Sequence, residues 1–298
     1  MPEGPEVRRS TDHLCRLLVG KRIVNAFVGT TGRYVQRPPE GFAEFLGELR
    51  GRGACRVTEV DCKGKFMWWT MDFPRKLVGP ERSEPPWRLW ITYGMSGQWS
   101  SEQTKHAGFG INYNDSGSPL DATGNFVQPP ALYFNDHRHF GTLKFVHSDE
   151  LHQEKLASLG PDMLHNPPNE QQFRIALNRR NQKTLAEALM DQSCVSGVGN
   201  YVKAEALYLA ELSPHRIVCE LSNQEIERLR QQIVNVMKAS YNTGGATIST
   251  YRNVDGSKGG MQRRFAVYGN QTDPIGNPVV KEETKDGRTT HWVPSVQH

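Results

Sequence analysis

Over the first 150 residues the apolar positions come in short bursts rather than at helical spacing. Residues 22–28, 56–60, 65–70, 87–93, 108–113, 131–135 and 141–146 are aromatic or β-branched runs separated by turn residues. That pattern predicts an antiparallel β-sandwich or barrel. Two helices are expected beside it. Residues 6–19 carry an apolar stripe of Val7, Leu14, Leu17 and Leu18 and stop at Gly20, while 42–49 follow the Pro38-Pro39 punctuation. The stretch 115–130 reads as a long hairpin or surface loop.

The period changes near residue 150. A short helical piece and the link His165-Asn166-Pro167-Pro168 occupy 151–169, and 171–177, 184–190 and 201–209 then read as helices. The clearest helix is 223–238. Ser222 can cap it and Glu225 stands at the third position of a capping box, ahead of Ile226, Leu229, Ile233, Val236 and Met237. Residues 242–262, rich in Gly, Thr and Ser, are expected to be a mobile loop. Runs at 265–268, 278–282 and 289–293 suggest a small β-ribbon. The predicted architecture is multidomain α+β. An N-terminal β-sandwich flanked by helices spans 1–150, a linker 151–168, a helical domain with its loop 169–262, and a β-hairpin with tail 263–298. The cleft between sandwich and helices is the expected binding site.

Composition narrows the class. A chain of 298 residues suits more than one domain. Hydrophobic residues at 37% exclude a disordered polyelectrolyte. The net charge of +4 permits a polyanionic partner without demanding one. No apolar run reaches the roughly 18–20 residues of a membrane span. The opening Met1-Pro2-Glu3-Gly4-Pro5-Glu6 lacks a basic-then-apolar signal. An intracellular protein is expected, in a nucleus, a cytoplasm or a site of viral replication. Cys15, Cys55, Cys62, Cys194 and Cys219 are odd in number, and no two have C-x2-C spacing. They read as free thiols in a reducing compartment rather than as a zinc site.

Three segments carry candidate chemistry. Removal of Met1 would leave Pro2 as a free secondary amine, able to attack C1′ of a damaged nucleoside and form an iminium that permits phosphate elimination. Glu3 and Glu6 stand beside it, one able to move protons during ring opening and the other to orient the terminus by charge pairing. The bland alternative is a proline turn before a helix with an acidic first turn. Next, Gly197-Val198-Gly199-Asn200-Tyr201 precedes a helix, so backbone amides there can approach an anion, or the glycines merely relieve crowding at a helix corner. In Tyr93-Gly94-Met95-Ser96-Gly97, Met95 stands at an expected turn tip and can enter a base stack as an apolar wedge, or can simply be core.

Together and in this order, the motifs resemble the formamidopyrimidine-DNA glycosylase/endonuclease VIII family, over about residues 2–296. The resemblance implies Pro2 as nucleophile, Glu3 as general acid/base and Glu6 as a supporting carboxylate. It matches Lys65, in Cys62-Lys63-Gly64-Lys65-Phe66, to the family's lysine in a tight turn, with Lys63 the weaker rival. Residues 197–201 resemble the helix–two-turn–helix, which implies Gly197, Gly199, Asn200 and Tyr201 as a clamp on the DNA backbone. Arg263 is assigned to the same DNA contact. Asp136-His137-Arg138-His139-Phe140-Gly141 is similar to the family's Asp-Pro-Arg-Arg-Phe-Gly. Arg138 would then reach the orphaned base, Phe140 would stack, Met95 would fill the void and His139 would meet a phosphate. His139 replaces a fixed charge with a titrating one.

One departure stands out. The family commonly ends in a zinc finger, yet no cysteine follows Cys219. Val293 and Val296 stand where the last Cys-x2-Cys is expected, and Ile275 near the first pair. The chain therefore resembles the zincless, Nei-like branch, with no metal and no cofactor implied. Arg288 keeps the hairpin-tip position that contacts phosphates beside the lesion. The implied activity is a bifunctional DNA glycosylase/AP lyase, acting as a monomer on damaged duplex DNA, with single strands a further substrate form. Oxidised pyrimidines, ring-opened bases and hydantoins fit the Nei-like features. Arg138, Phe140 and the 244–260 loop resemble the purine-directed side instead. A noncatalytic lesion-binding or DNA-architectural protein would keep the clamp and the wedge without a free Pro2 amine. A sequence-specific regulator would need two-fold operator recognition.

Overall fold

The computed structural model describes residues 2–74, 84–115, 128–247 and 252–298. Most of the expected loop at 115–130, and residues 248–251 of the 242–262 loop, lie outside the described residues. Helix α1 (Gly4–Leu18) opens the chain, with Pro5 in its first turn where no amide donor is needed, and buries Val7, Leu14 and Leu18.

Eight strands follow: β1 (Arg22–Val28), β2 (Cys55–Lys63), β3 (Phe66–Asp72), β4 (Trp87–Thr92), β5 (Gly97–Ser100), β6 (Ala107–Asn114), β7 (Ala131–Asp136) and β8 (Thr142–Val146). They form one antiparallel sheet in the order β5-β7-β6-β1-β2-β3-β4-β8. β1 meets β2 only through Arg22↔Arg56 and Ile23↔Cys55, so the ladder is thin at its middle and the two halves fold over one core. Trp69 of β3 and Trp99 of β5 are both fully buried there, with ring centroids 4.6 Å apart. Helix α2 (Phe42–Arg52) closes one side, where Phe45 stacks on Phe145 at 4.5 Å. The short strand β5 has no counterpart in the sequence pattern, because three of its four residues, Gly97, Gln98 and Ser100, carry no apolar side chain.

Beyond the sandwich lie α3 (Asp149–Ala157), α4 (Glu170–Asn178), α5 (Leu185–Met190), α6 (Asn200–Leu209) and α7 (Asn223–Asn242). α7 carries the expected capping box. Ser222 Oγ accepts from the Glu225 amide at 3.3 Å, and Glu225 Oε2 accepts from the Ser222 amide at 2.7 Å. Leu189, Tyr201, Leu207, Leu229, Ile233 and Met237 form a second core. α1 packs on α7 and so ties the two units together. Among the described residues, no helix is long and apolar enough to cross a membrane.

The chain ends in a hairpin of β9 (Val280–Glu283) and β10 (Thr289–Trp292). The third run, 265–268, is not a strand. The amides of Ala266, Val267 and Tyr268 all donate to the carboxylate of Glu205, at 2.8, 3.0 and 2.8 Å, and this curls the segment round one side chain. Val293 and Val267 are fully buried against Ala204, with Val279 and Val296 packed alongside. Ile275, at 79% exposed, takes no part in that cluster.

Candidate active site

Three segments converge where glycines let backbones touch. The Gly4 amide at the start of α1 donates to the Gly197 carbonyl at 2.8 Å. A Cβ on Gly64, in the β2–β3 turn, would stand 2.5 Å from the Gly197 nitrogen. Gly197 has a φ of +96°, a region that favours glycine. The N-terminus, the Lys65 turn and the start of α6 are thereby locked into one corner.

Pro2 and Glu3 are buried at this corner. The Glu3 carboxylate accepts from the amides of Tyr201 at 2.9 Å and Val202 at 3.2 Å, so it occupies the positive N-terminus of α6. Glu6 accepts the Glu3 amide at 2.8 Å, the Tyr201 hydroxyl at 3.0 Å and the Ala246 amide at 2.7 Å. Burial pushes the Glu3 carboxyl up to about 7, against the opposing pull of the Lys65 ammonium. Burial also raises Glu6, and its backbone donors oppose that rise.

Lys65 follows Gly64 in the turn, as expected, and burial lowers its pKa while Glu3 and Glu6 raise it. The charges of Arg288 and Lys203 also reach it. The rival Lys63 is excluded from the site. Its ammonium donates to the carbonyls of Leu156 at 2.8 Å and Leu159 at 3.0 Å, at the C-terminal end of α3. Asn200, at the start of α6, donates from Nδ2 to the Thr289 carbonyl at 2.8 Å, and Arg288 is exposed beside it on the hairpin.

The structure corrects the clamp at Tyr201 and at the Gly197 amide. Tyr201 is fully buried, and its ring packs on Phe265 while its hydroxyl serves Glu6 and Ser240, so it holds the site from behind rather than touching DNA. The backbone amides of Gly197, Tyr201 and Val202 are also engaged within the protein. Gly197 donates to Gln192 Oε1 at 3.0 Å, and Tyr201 and Val202 serve Glu3. Gly199 also gives clearance, for a Cβ there would overlap the Glu3 side chain.

The wedge residues sit on two joined loops. Met95 is partly exposed in the β4–β5 turn, and Arg138, His139 and Phe140 are exposed after β7. Asp136 joins the loops, accepting from Ser96 Oγ at 2.6 Å and from the Gly141 amide at 2.7 Å. The Arg138 guanidinium lies 5.5 Å over the Phe140 ring, which is 56% exposed. Arg263 is exposed in the short 3-10 turn Met261–Arg264. Sequence reasoning missed Lys203. It is a lysine inside a helix, with no local sign that its side chain is 0% exposed. Among the described residues, no group of three His, Cys, Asp or Glu side chains is placed to hold a metal ion.

Family models match most of the chain. The N-terminal domain of formamidopyrimidine-DNA glycosylase matches residues 1–143, its H2TH domain 159–252 and its C-terminal domain 261–298. A formamidopyrimidine-DNA glycosylase of Thermus thermophilus is 31% identical over 303 residues, covering 100% of this chain and 98% of that protein. The chain belongs to the formamidopyrimidine-DNA glycosylase family. A member from Listeria monocytogenes is 28% identical with both chains fully covered. Solved structures share the fold. The MutM (Fpg) protein of Thermus thermophilus has a TM-score of 0.77 at 28% identity, covering 99% of this chain and 98% of that one. A Lactococcus lactis Fpg mutant, solved with DNA containing Fapy-dG, reaches 0.79 at 24% identity over the whole of both chains. Membership makes this chain a DNA glycosylase of base excision repair.

Proposed function

We propose that this chain excises oxidised bases from damaged duplex DNA and then cuts the strand at the exposed sugar, acting as a monomer without metal or cofactor. The observation that carries the reading is the Glu3 carboxyl. It lies one residue past Pro2, is walled off from water and has a pKa of about 7 beside Lys65. Such a group can give and take a proton near neutral pH.

With Met1 removed, the Pro2 nitrogen attacks C1′. The glycosidic bond breaks, and the base leaves with the electron pair and takes up a proton. Neutral Glu3 protonates the ring oxygen, the C1′–O4′ bond opens, and an iminium links Pro2 to the sugar. Loss of the C2′ proton expels the 3′ phosphate, and a second elimination expels the 5′ phosphate. The product is a one-nucleotide gap with phosphate at both margins. Lys65, Asn200 and Arg288 hold the backbone of the everted nucleotide while Met95, Arg138 and Phe140 fill the gap it leaves.

The finer assignment is to the zincless, Nei-like branch, with oxidised pyrimidines preferred and ring-opened or hydantoin bases also taken. It is supported by the lack of any cysteine after Cys219 and by Val293 packed against Val267. Single-stranded DNA is a further substrate form on this reading. Borohydride trapping tests it on duplexes bearing thymine glycol, 5-hydroxyuracil, a formamidopyrimidine or 8-oxoguanine. Met1-free protein should give a covalent adduct, strongest on the pyrimidine lesions, and protein that intact mass shows to retain Met1 should give none. Trapping by fully Met1-bearing protein would remove Pro2 as the nucleophile. A clear preference for 8-oxoguanine would remove the branch assignment.

A further inference from the structure

One turn into α6, the side chain of Lys203 is 0% exposed and its ammonium donates to Asp286 Oδ2, a side chain itself 3% exposed. A charge so placed is costly unless paired, and an apolar side chain of the same size would fill the space more cheaply. Asp286 belongs to the turn that joins β9 to β10. In that turn Thr284 donates its amide to the Arg288 carbonyl at 3.1 Å, and Gly287 donates to the Thr284 carbonyl at 2.9 Å. The second oxygen of Asp286 accepts the Thr284 hydroxyl at 2.5 Å. Three residues before Lys203, Asn200 holds the Thr289 carbonyl.

Asn200 and Lys203 therefore share one face of α6 and grip the hairpin at 289 and 286. Arg288 lies between the two grips, exposed, with its charge reaching Lys65 and Lys203. The same helix start holds Glu3 through the Tyr201 and Val202 amides. One helix thus carries both the proton donor and the arginine's mounting.

We propose that the buried Lys203–Asp286 pair is a positioning device, fixing the hairpin tip and through it the Arg288 guanidinium against the phosphate beside the lesion. The inference rests on the strand-cleaving role proposed above for Arg288. An apolar contact would let the tip slide, whereas a hydrogen-bonded ion pair fixes distance and direction.

The test is single-turnover strand cleavage by the full-length protein at a preformed abasic site. K203M should slow cleavage by about 10- to 100-fold, the scale of a misplaced catalytic group, and K203R should recover most of the loss. In an R288A background, K203M should cost less than about twofold more, because the two changes act through one group. K203M/D286L leaves no orphaned charge, so it should melt near the wild-type temperature yet still cleave slowly. This double variant keeps the test valid where K203M alone fails to fold. Wild-type cleavage by K203M/D286L would overturn the proposal, as would a K203M penalty in R288A equal to that in the wild type. Wild-type cleavage by R288A would remove the arginine from the functional reading and the positioning role with it, a failure distinct from the first two.

Discussion

A Cβ on Gly199 would overlap Cδ of Glu3, two residues that lie far apart in the chain. Gly199 has φ −128° and ψ −162°, a conformation any residue adopts, so the need for glycine is space and not backbone freedom. G199A is therefore expected to fold, displace the Glu3 carboxylate from the α6 amides and cut base excision by about 100-fold. Duplex binding should change by no more than about twofold. Single-turnover excision measured beside a gel-shift titration separates the two, and excision at the wild-type rate would refute the clearance role.

Glu3 also predicts a pH dependence. Its folded pKa of about 7 lies above the ordinary 4.5, so between those values the folded protein holds a proton that the unfolded chain has released. Raising pH through that window favours the unfolded state, by up to about 3 kcal/mol for this group. The stability of the wild type relative to E3Q should fall from pH 5 to pH 8, measured by urea unfolding at each pH. Excision that needs neutral Glu3 should decline through the same range in the wild type, while E3Q stays slow throughout. A stability difference that is flat with pH would mean that Glu3 is ionised already at pH 5.

Which of these features can be read from the chain follows from what burial writes locally. Ile226, Leu229, Ile233 and Met237 recur at 3.6-residue spacing because one face of α7 is buried, and the flanking Ser222 and Glu225 announce the cap. Lys65 is legible because a glycine turn precedes a strand. Contacts between distant segments leave no such mark. The Glu3–Tyr201 hydrogen bond spans 198 residues, and nothing near Tyr201 says that its ring faces the core rather than a ligand. Phe265, Val267 and Tyr268 look like a strand until Glu205, across the domain, takes three of the segment's amides. Lys203 reads as a solvated helix lysine because its partner, Asp286, lies 83 residues away.

The wedge loops should behave as one unit. Asp136 is 5% exposed and bonds both Ser96, next to Met95, and Gly141, next to Phe140. D136A strands those donors and is expected to destabilise the protein by about 1–3 kcal/mol. S96A removes just the bridge between the loops. It should slow eversion of the lesion, followed by 2-aminopurine fluorescence opposite the damage, while cleavage of a preformed abasic single strand stays unchanged. Equal slowing on both substrates would argue against a role confined to the wedge.

The hairpin can be tested for metal independence. Val293 and Val267 are both fully buried against Ala204. V293A should lower stability by about 1–3 kcal/mol through the cavity it leaves. Incubation with EDTA or phenanthroline should leave both the melting temperature and cleavage unchanged. A chelator-dependent loss of either would contradict the zincless assignment.

Lys63 and Lys65, two residues apart, make the sharpest internal comparison. The Lys63 ammonium is engaged by the carbonyls of Leu156 and Leu159, so its work is to close α3. K63M should cost about 1 kcal/mol of stability, the worth of a helix-end hydrogen bond, and leave excision and trapping within about twofold. The charge of Lys65 instead acts directly on Glu3 and holds the carboxyl below the value that burial alone would impose. K65M removes that pull, so the Glu3 pKa should rise further. The alkaline limb of the excision profile should move to higher pH even as the overall rate drops, because the phosphate anchor is lost as well. A rate loss with no movement of that limb would confine Lys65 to phosphate binding. A large loss in K63M would reverse the assignment of the two lysines.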